Sequence, residues 1–347
     1  MKKTLTFLIL IAALIFTIIL SLGLGAMRIP VKEVITILAS KAGLLSNTAE
    51  DPLAAGVILM IRLPRVILGL MVGAALGTTG TAVQGIFRNP LAEPGLIGIS
   101  AGASMMTVII IALEGLFFIQ ISQSLGYSLL AIGAFFGSGL AALLVYTLSK
   151  TNGQPNMALM LLAGIAINAL AGAFTGLVTY LSSEQQLRSI TFWMLGSLGG
   201  ATWGNVLCIA PFVILPIVIL PTFSKGLNVF AIGESQAELI GLNTKSIKVW
   251  VVFLSTMAVG ASVSVSGIIG FVGLLVPHTM RLIGGVNHKF VLPASALAGA
   301  LVLTLADLIS RTIVEPIELP IGVITALLGT PIFIYIMLRD KKKITNL

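Results

Sequence analysis

Charge is what this sequence has least of. Asp, Glu, Lys and Arg make up 9% of the 347 residues, against 57% apolar. A soluble domain carries about 25% charged residues, and the polar residues left here could not cover the outside of a globule this size. A soluble fold is excluded. Cysteine is almost absent: Cys208 stands alone in an apolar run, has no partner for an intrachain disulfide, and reads as a small buried hydrophobe. There are two histidines and no His/Cys cluster at metal-ligand spacing, so neither a metal nor another cofactor is expected. No catalytic constellation is visible, and the chain lacks a P-loop and with it the usual ATP site. Carboxylates are missing from the middle of the apolar runs. Glu114, Asp307 and Glu318 fall near span ends, whereas a proton- or sodium-coupled carrier normally keeps such groups at depth. The energy for any transport is therefore expected from another subunit.

What is present is a series of apolar runs about 20 residues long, the length a helix needs to cross about 30 Å of hydrocarbon. Lipid offers no hydrogen bonds to the backbone, so only helices or closed barrels can span it. Residues 8–20 and 291–305 do not alternate as barrel strands would. The expected fold is an all-α polytopic membrane protein, a single domain over 1–347. Ten spans fit: about 5–26, 62–87, 95–113, 127–149, 157–181, 202–222, 247–267, 268–284, 290–309 and 319–338. The break between the seventh and eighth rests on the short punctuation Ser266-Gly267. Lys2-Lys3 and the run after them resemble a signal peptide, but the run continues through Leu24 and more spans follow, so it is read as a retained first helix.

An even span count puts both termini on one side. With the termini cytoplasmic, thirteen of the twenty Lys and Arg face inward and seven outward, which obeys the positive-inside rule. The net charge of +8 is thus a topology signal. No basic face is interleaved with stacking aromatics, so nucleic acid is not an expected partner. Two segments lie outside the spans. An outer one, about 28–55, contains Pro30-Val31-Lys32-Glu33-Val34-Ile35, the start of a short amphipathic helix lying on the lipid interface. An inner one, about 224–246, has apolar residues at 232, 239, 240 and 242 with polar residues between. This pattern suits one or two short helices across the membrane face, built for docking. Glycines recur with small residues over 69–77, as helices packed closely in lipid require. Val72-Gly73-Ala74, Gly80 and Pro90 recur at the same offsets as Val259-Gly260-Ala261, Gly267 and Pro277. Five helices apart, the two copies would form an inverted repeat.

Several blocks then carry a family likeness. Arg62-Leu63-Pro64-Arg65, Val72-Gly73-Ala74-Ala75-Leu76, Gln84 and Asn89-Pro90-Leu91-Ala92-Glu93-Pro94-Gly95-Leu96-Ile97-Gly98 resemble the FecCD-type permeases. So do Gly270-Phe271-Val272-Gly273-Leu274-Leu275-Val276-Pro277-His278 with Arg281, and the run from Glu318 to Pro331. These are the ABC importer permeases for iron–siderophores, haem and vitamin B12. The likeness runs from about residue 60 to 338 in the family's order. It implies a vitamin B12 permease-like bundle of ten helices, working as a homodimer in the inner (cytoplasmic) membrane with its path at the dimer interface. Two copies of a cytoplasmic ATP-binding subunit would drive it, and an extracytoplasmic substrate-binding protein would deliver the cargo. Arg62, Arg65 and Arg311 match positions that pair with glutamates on the binding protein, a task suited to a forked, permanent cation; as a plain alternative they anchor helices at the interface. Asn89 and Leu91 match the cytoplasmic gate, although Asn-Pro is also ordinary turn chemistry. Ile232, Glu234, Ser235, Ala237 and Gly241 match the coupling helices that press on the ATPase. His278 occurs in the family whatever the cargo and reads as structural. The expected function is import of an iron complex, siderophore or haem, with cobalamin as the alternative. A secondary carrier or channel is a less favoured reading, and a membrane enzyme would need a nucleophile or metal cluster that is not visible.

Overall fold

The computed structural model describes residues 2–43, 51–117, 127–151, 153–314 and 317–345. Among the described residues the chain is almost wholly helical, with one antiparallel strand pair, Lys150–Thr151 against Gln154–Pro155. In order, the helices are α1 (Lys2–Gly23), α2 (Val31–Lys41), α3 (Pro52–Phe87), α4 (Ile99–Phe117), α5 (Tyr127–Leu148), α6 (Met157–Tyr180), α7 (Glu184–Leu195), α8 (Trp203–Ile219), α9 (Ser224–Phe230), α10 (Glu234–Leu239), α11 (Thr244–Ser266), α12 (Val272–Gly284), α13 (His288–Thr312) and α14 (Ile321–Thr345). Among the described residues seven are long and apolar enough to cross a membrane: α1, α3, α5, α6, α8 with its continuation to Phe230, α11 and α13. The shorter apolar helices α4 and α14 and the 13-residue α12 complete the ten expected spans.

One boundary and one element differ from expectation. The second span starts at Pro52, about ten residues before Arg62, because Asp51 caps the helix by accepting from Leu53 N and Pro52 fills the first position. Of the outer segment, α2 is present with Val34 and Ile37 turned inward, while 44–50 lie outside the described residues. The other difference is α7, which no span anticipated. Ser183 and Gln186 form a reciprocal capping box at its start, and Gln186 Nε2 donates to the carbonyls of Ile111 and Ala112. The break after Ser266 holds. Gly267 takes a φ of 67°, and a Cβ there would lie 2.2 Å from Trp193 O, so only glycine turns the chain at this point.

The core is centred on α3 against α13. Gly73 and Gly77 of α3 meet Gly299 and Ser295 of α13 so closely that a Cβ on Gly77 would stand 2.1 Å from Ser295 O. The expected small-residue packing is therefore real at these positions. The members of the sequence repeat occupy different local structures: Gly80 lies within α3, Gly267 caps α11, Pro90 sits in a turn and Pro277 inside α12. Cys208, expected inside, is exposed on the flank of α8. On a membrane-crossing helix hydrocarbon covers an outward thiol as well as protein would.

Candidate functional site

The first 25 residues after Arg62 run as regular helix (Leu63–Phe87), about 37 Å at 1.5 Å per residue, so residues at its two ends mark opposite ends of the bundle. At the first end lie the three arginines singled out from the sequence. α1 stops at Gly23 and leaves the carbonyls of its last turn without helical partners. Arg62, at the end of a π-helical stretch (Val57–Arg62), donates to Leu22 O at 2.6 Å and to Met27 O. Arg311, in the last turn of α13, donates to Leu24 O at 2.9 Å and to both oxygens of Ser21. Positive charge at a helix C-terminus is also favoured by the helix dipole. Arg65 meets Asp307 Oδ1 at 2.9 Å through Nε and Glu318 Oε1 at 2.8 Å through an η nitrogen. The second oxygen of Asp307 lies 3.4 Å from Arg311 Nε. Arg62, Arg65 and Arg311 are thus brought together, but at 5, 8 and 9% exposure they face inward and are bonded within the chain. The sequence did not signal Asp307 as the hub.

At the other end, α3 closes on Arg88 in a left-handed conformation, φ 52°. Asn89 follows, and its Oδ1 accepts from Leu91 N at 2.9 Å, the side-chain turn that Asn-Pro favours. The Leu91 side chain is left exposed. The chain then folds back into the bundle. A Cβ on Gly273 would meet Leu76 O at 3.2 Å and Pro94 Cδ at 3.6 Å, which sets Pro94 level with the middle of the Leu63–Phe87 stretch. Glu93, expected at the membrane face, instead lines a cavity of about 320 Å³ with Leu76, Asn168, Val259 and Phe271. The return is possible because Gly164 has no side chain: a Cβ there would stand 1.8 Å from Leu96 O.

The 232–242 segment forms α10 with an exposed rim. Ile232, Leu239 and Ile240 are exposed apolar residues. Ser235 is exposed too, while Ala237 is buried. Gly241 has a φ of 84° with open space around it. Glu234 pairs with Lys248 of α11, whose Nζ also donates to Pro155 O at 3.0 Å. Lys248 is almost wholly buried and ties α10 to α11 and to the start of α6. His278 is half-buried within α12, and among the described residues no group of three His, Cys, Asp or Glu could hold a metal ion.

A helical bundle with apolar flanks, a small-residue core and an exposed short helix at one end is an integral membrane protein. The chain belongs to the FecCD transport family, whose model matches residues 13–339. It is a multi-pass protein of the inner membrane, the permease subunit of an ABC importer and not itself an enzyme. Permeases of this class work with ATPase and substrate-binding subunits. Similar proteins include the hemin transport system permease protein HmuU of Yersinia pestis, 42% identical over 95% of each chain. The cobalamin import system permease protein BtuC of Halobacterium salinarum is 38% identical over 81% of this chain and 73% of its own. A solved structure described as an inward-facing conformation of a metal-chelate type ABC transporter superposes with a TM-score of 0.82 at 30% identity, covering 97% of this chain and 99% of its own.

Proposed function

We propose that this permease imports an iron complex, a siderophore or haem, as a homodimer driven by two copies of a cytoplasmic ATP-binding subunit and fed by an extracytoplasmic substrate-binding protein. The observation that carries the iron-complex reading is the 42% identity to a hemin permease, sustained over 95% of both chains. The likeness to a cobalamin permease at 38% keeps cobalamin as the alternative. Both termini lie in the cytoplasm, together with α10 and Asn89.

The exposed Ile232, Leu239 and Ile240 favour α10 as the part that presses into the ATPase, with Glu234, Ser235, Ala237 and Gly241 in its frame. Bonded to Glu234, Lys248 would carry motion from α10 into the bundle. Asn89 and Leu91, at the turn that ends α3, form the cytoplasmic gate, with the exposed Leu91 as its apolar closure. The outward face of α6 supports the dimer: Gly172 and Gly176 have open space where side chains would be, one helical turn apart, as a close helix–helix contact needs. The convergence of Arg62, Arg65 and Arg311 supports an outer docking site. Since all three are bonded inside the chain, a partner's carboxylate would reach Arg65 by exchanging with Glu318, whose side chain is 48% exposed.

Proteoliposomes holding the permease, its ATPase and its binding protein test the reading. ATP-dependent accumulation of haem or a ferric siderophore, and not of cobalamin, is expected. Uptake of cobalamin alone overturns the iron assignment, and uptake driven by an ion gradient without the ATPase overturns the ABC mechanism.

A further inference from the structure

We propose that a cavity at the Arg281 end of the bundle is a binding site for an oxyanion of the phosphate class. The cavity measures about 550 Å³. Its walls come from the end of α3 and the turn after it (Gln84, Arg88, Asn89), from Asn228 of α9, from Arg281 of α12 and from Asn287 before α13. The lining has two arginines and no Asp or Glu.

Arg281 differs from the other buried arginines. Arg62, Arg65 and Arg311 are compensated by helix-end carbonyls or by Asp307 and Glu318. The partner of Arg281 is the amide oxygen of Gln84, a neutral group, and Gln84 is fixed in turn by donating to Leu274 O at 3.2 Å. Among the described residues Arg281 makes no ion pair. A half-buried guanidinium with only a neutral partner is expensive within a membrane bundle, and an incoming anion removes that cost. Arg88, exposed and lining the cavity, sits in the left-handed region (φ 52°), where glycine would be less strained.

The neutral groups are turned the same way. Asn89 Oδ1 is occupied by Leu91 N, and Asn287 Oδ1 by Lys289 N and Asn228 Nδ2. The free valences of both amides are therefore N–H donors. Two cations and two amide donors on different walls suit a tetrahedral anion with several acceptor oxygens better than a planar carboxylate. His288 is a wall and not a ligand: Nδ1 lies 2.9 Å from Asn228 Oδ1, and Nε2 lies 3.0 Å from where a Cβ on Gly85 would stand. Val286, 74% exposed, gives the cavity an apolar rim, and Leu282 and Ile283, next to Arg281 in the chain, are exposed as well. The phosphate could be that of an anionic lipid headgroup, whose chains this rim would cover, or a free phosphate.

The test uses the full chain purified in detergent and read by thermal unfolding, since a ligand that binds the native state raises its melting temperature. The probes are inorganic phosphate, short-chain phosphatidylglycerol and short-chain phosphatidylcholine, with sodium chloride at matched ionic strength as control. A saturable stabilisation by phosphatidylglycerol or phosphate is expected, with half-saturation at least tenfold weaker in Arg281→Gln and in Arg88→Gln. Stabilisation by phosphatidylglycerol alone assigns a lipid headgroup, and stabilisation by inorganic phosphate assigns a free anion. If Arg281→Gln does not fold, the surface variant Arg88→Gln carries the comparison. The proposal is overturned if no probe exceeds the chloride control, if phosphatidylcholine acts as strongly as phosphatidylglycerol, or if the folded variants respond like the wild type.

Discussion

At the scale of single residues, Asp307 outweighs the arginines around it. Its carboxylate is buried between Arg65 and Arg311, so Asp307→Asn removes the buried countercharge of both, leaving Arg65 with Glu318 and Arg311 with neutral oxygens. Breaking a buried pair from one side costs about 3–5 kcal/mol, and a large fall in the melting temperature of the detergent-solubilised protein is expected. Glu318→Gln removes the half-exposed partner of Arg65 and should cost about 1 kcal/mol or less. Equal losses in the two variants would refute Asp307 as the hub. Glycines divide in the same way. Gly77→Ala drives a methyl into Ser295 O at 2.1 Å and must separate α3 from α13, whereas Gly139→Ala within α5 enters open space and should be neutral or stabilising by about 0.5–1 kcal/mol. The arginines were legible because they match positions of the FecCD family resemblance, Arg62 and Arg65 in its Arg62-Leu63-Pro64-Arg65 block. Their common partner was not, because Asp307 reaches Arg65 across 242 positions of sequence and no local pattern encodes that distance.

At the scale of elements, ten spans and the 232–242 amphipathic pattern were readable because hydrophobic length and period are local properties. Three features were not. α7 left a trace in Ser183-x-x-Gln186, a capping box in a stretch too polar to look like a span. The return of Glu93 toward the middle of α3 depends on Gly164 and Gly273 lacking side chains on two other helices. The tie from α10 through Glu234 to Lys248 joins groups 14 residues apart with a helix start between them. That tie makes a prediction. Lys248→Met keeps the volume and apolar stem but loses the bonds to Glu234 and Pro155 O. If α10 transmits force through Lys248, the variant assembled with its ATPase should still hydrolyse ATP while uptake per ATP falls severalfold. Wild-type uptake per ATP would show that motion enters the bundle by another route.

At the scale of the whole molecule, the uneven division of charge ties the fold to its orientation. In the proposed topology, thirteen of the twenty Lys and Arg lie on the side that holds both termini. Three of the other seven, Arg62, Arg65 and Arg311, are enclosed in the bundle, so the contrast between the two surfaces exceeds what the count suggests. Cytoplasmic loops retain Lys and Arg, so the proposed topology has α10 and Asn89 inside and α2 outside. Side-specific labelling tests this in a Cys208→Ser background, so that each introduced cysteine is the chain's single thiol. Ser235→Cys on α10 and Lys32→Cys on α2 are both exposed positions away from the buried contacts. In right-side-out vesicles a membrane-impermeant maleimide should label Lys32→Cys and spare Ser235→Cys, and in inverted vesicles the pattern should reverse. The opposite result would turn the molecule over. It would carry α10 away from any cytoplasmic ATPase, bring the three arginines to the cytoplasmic face, and so remove the import reading and the outer docking site together.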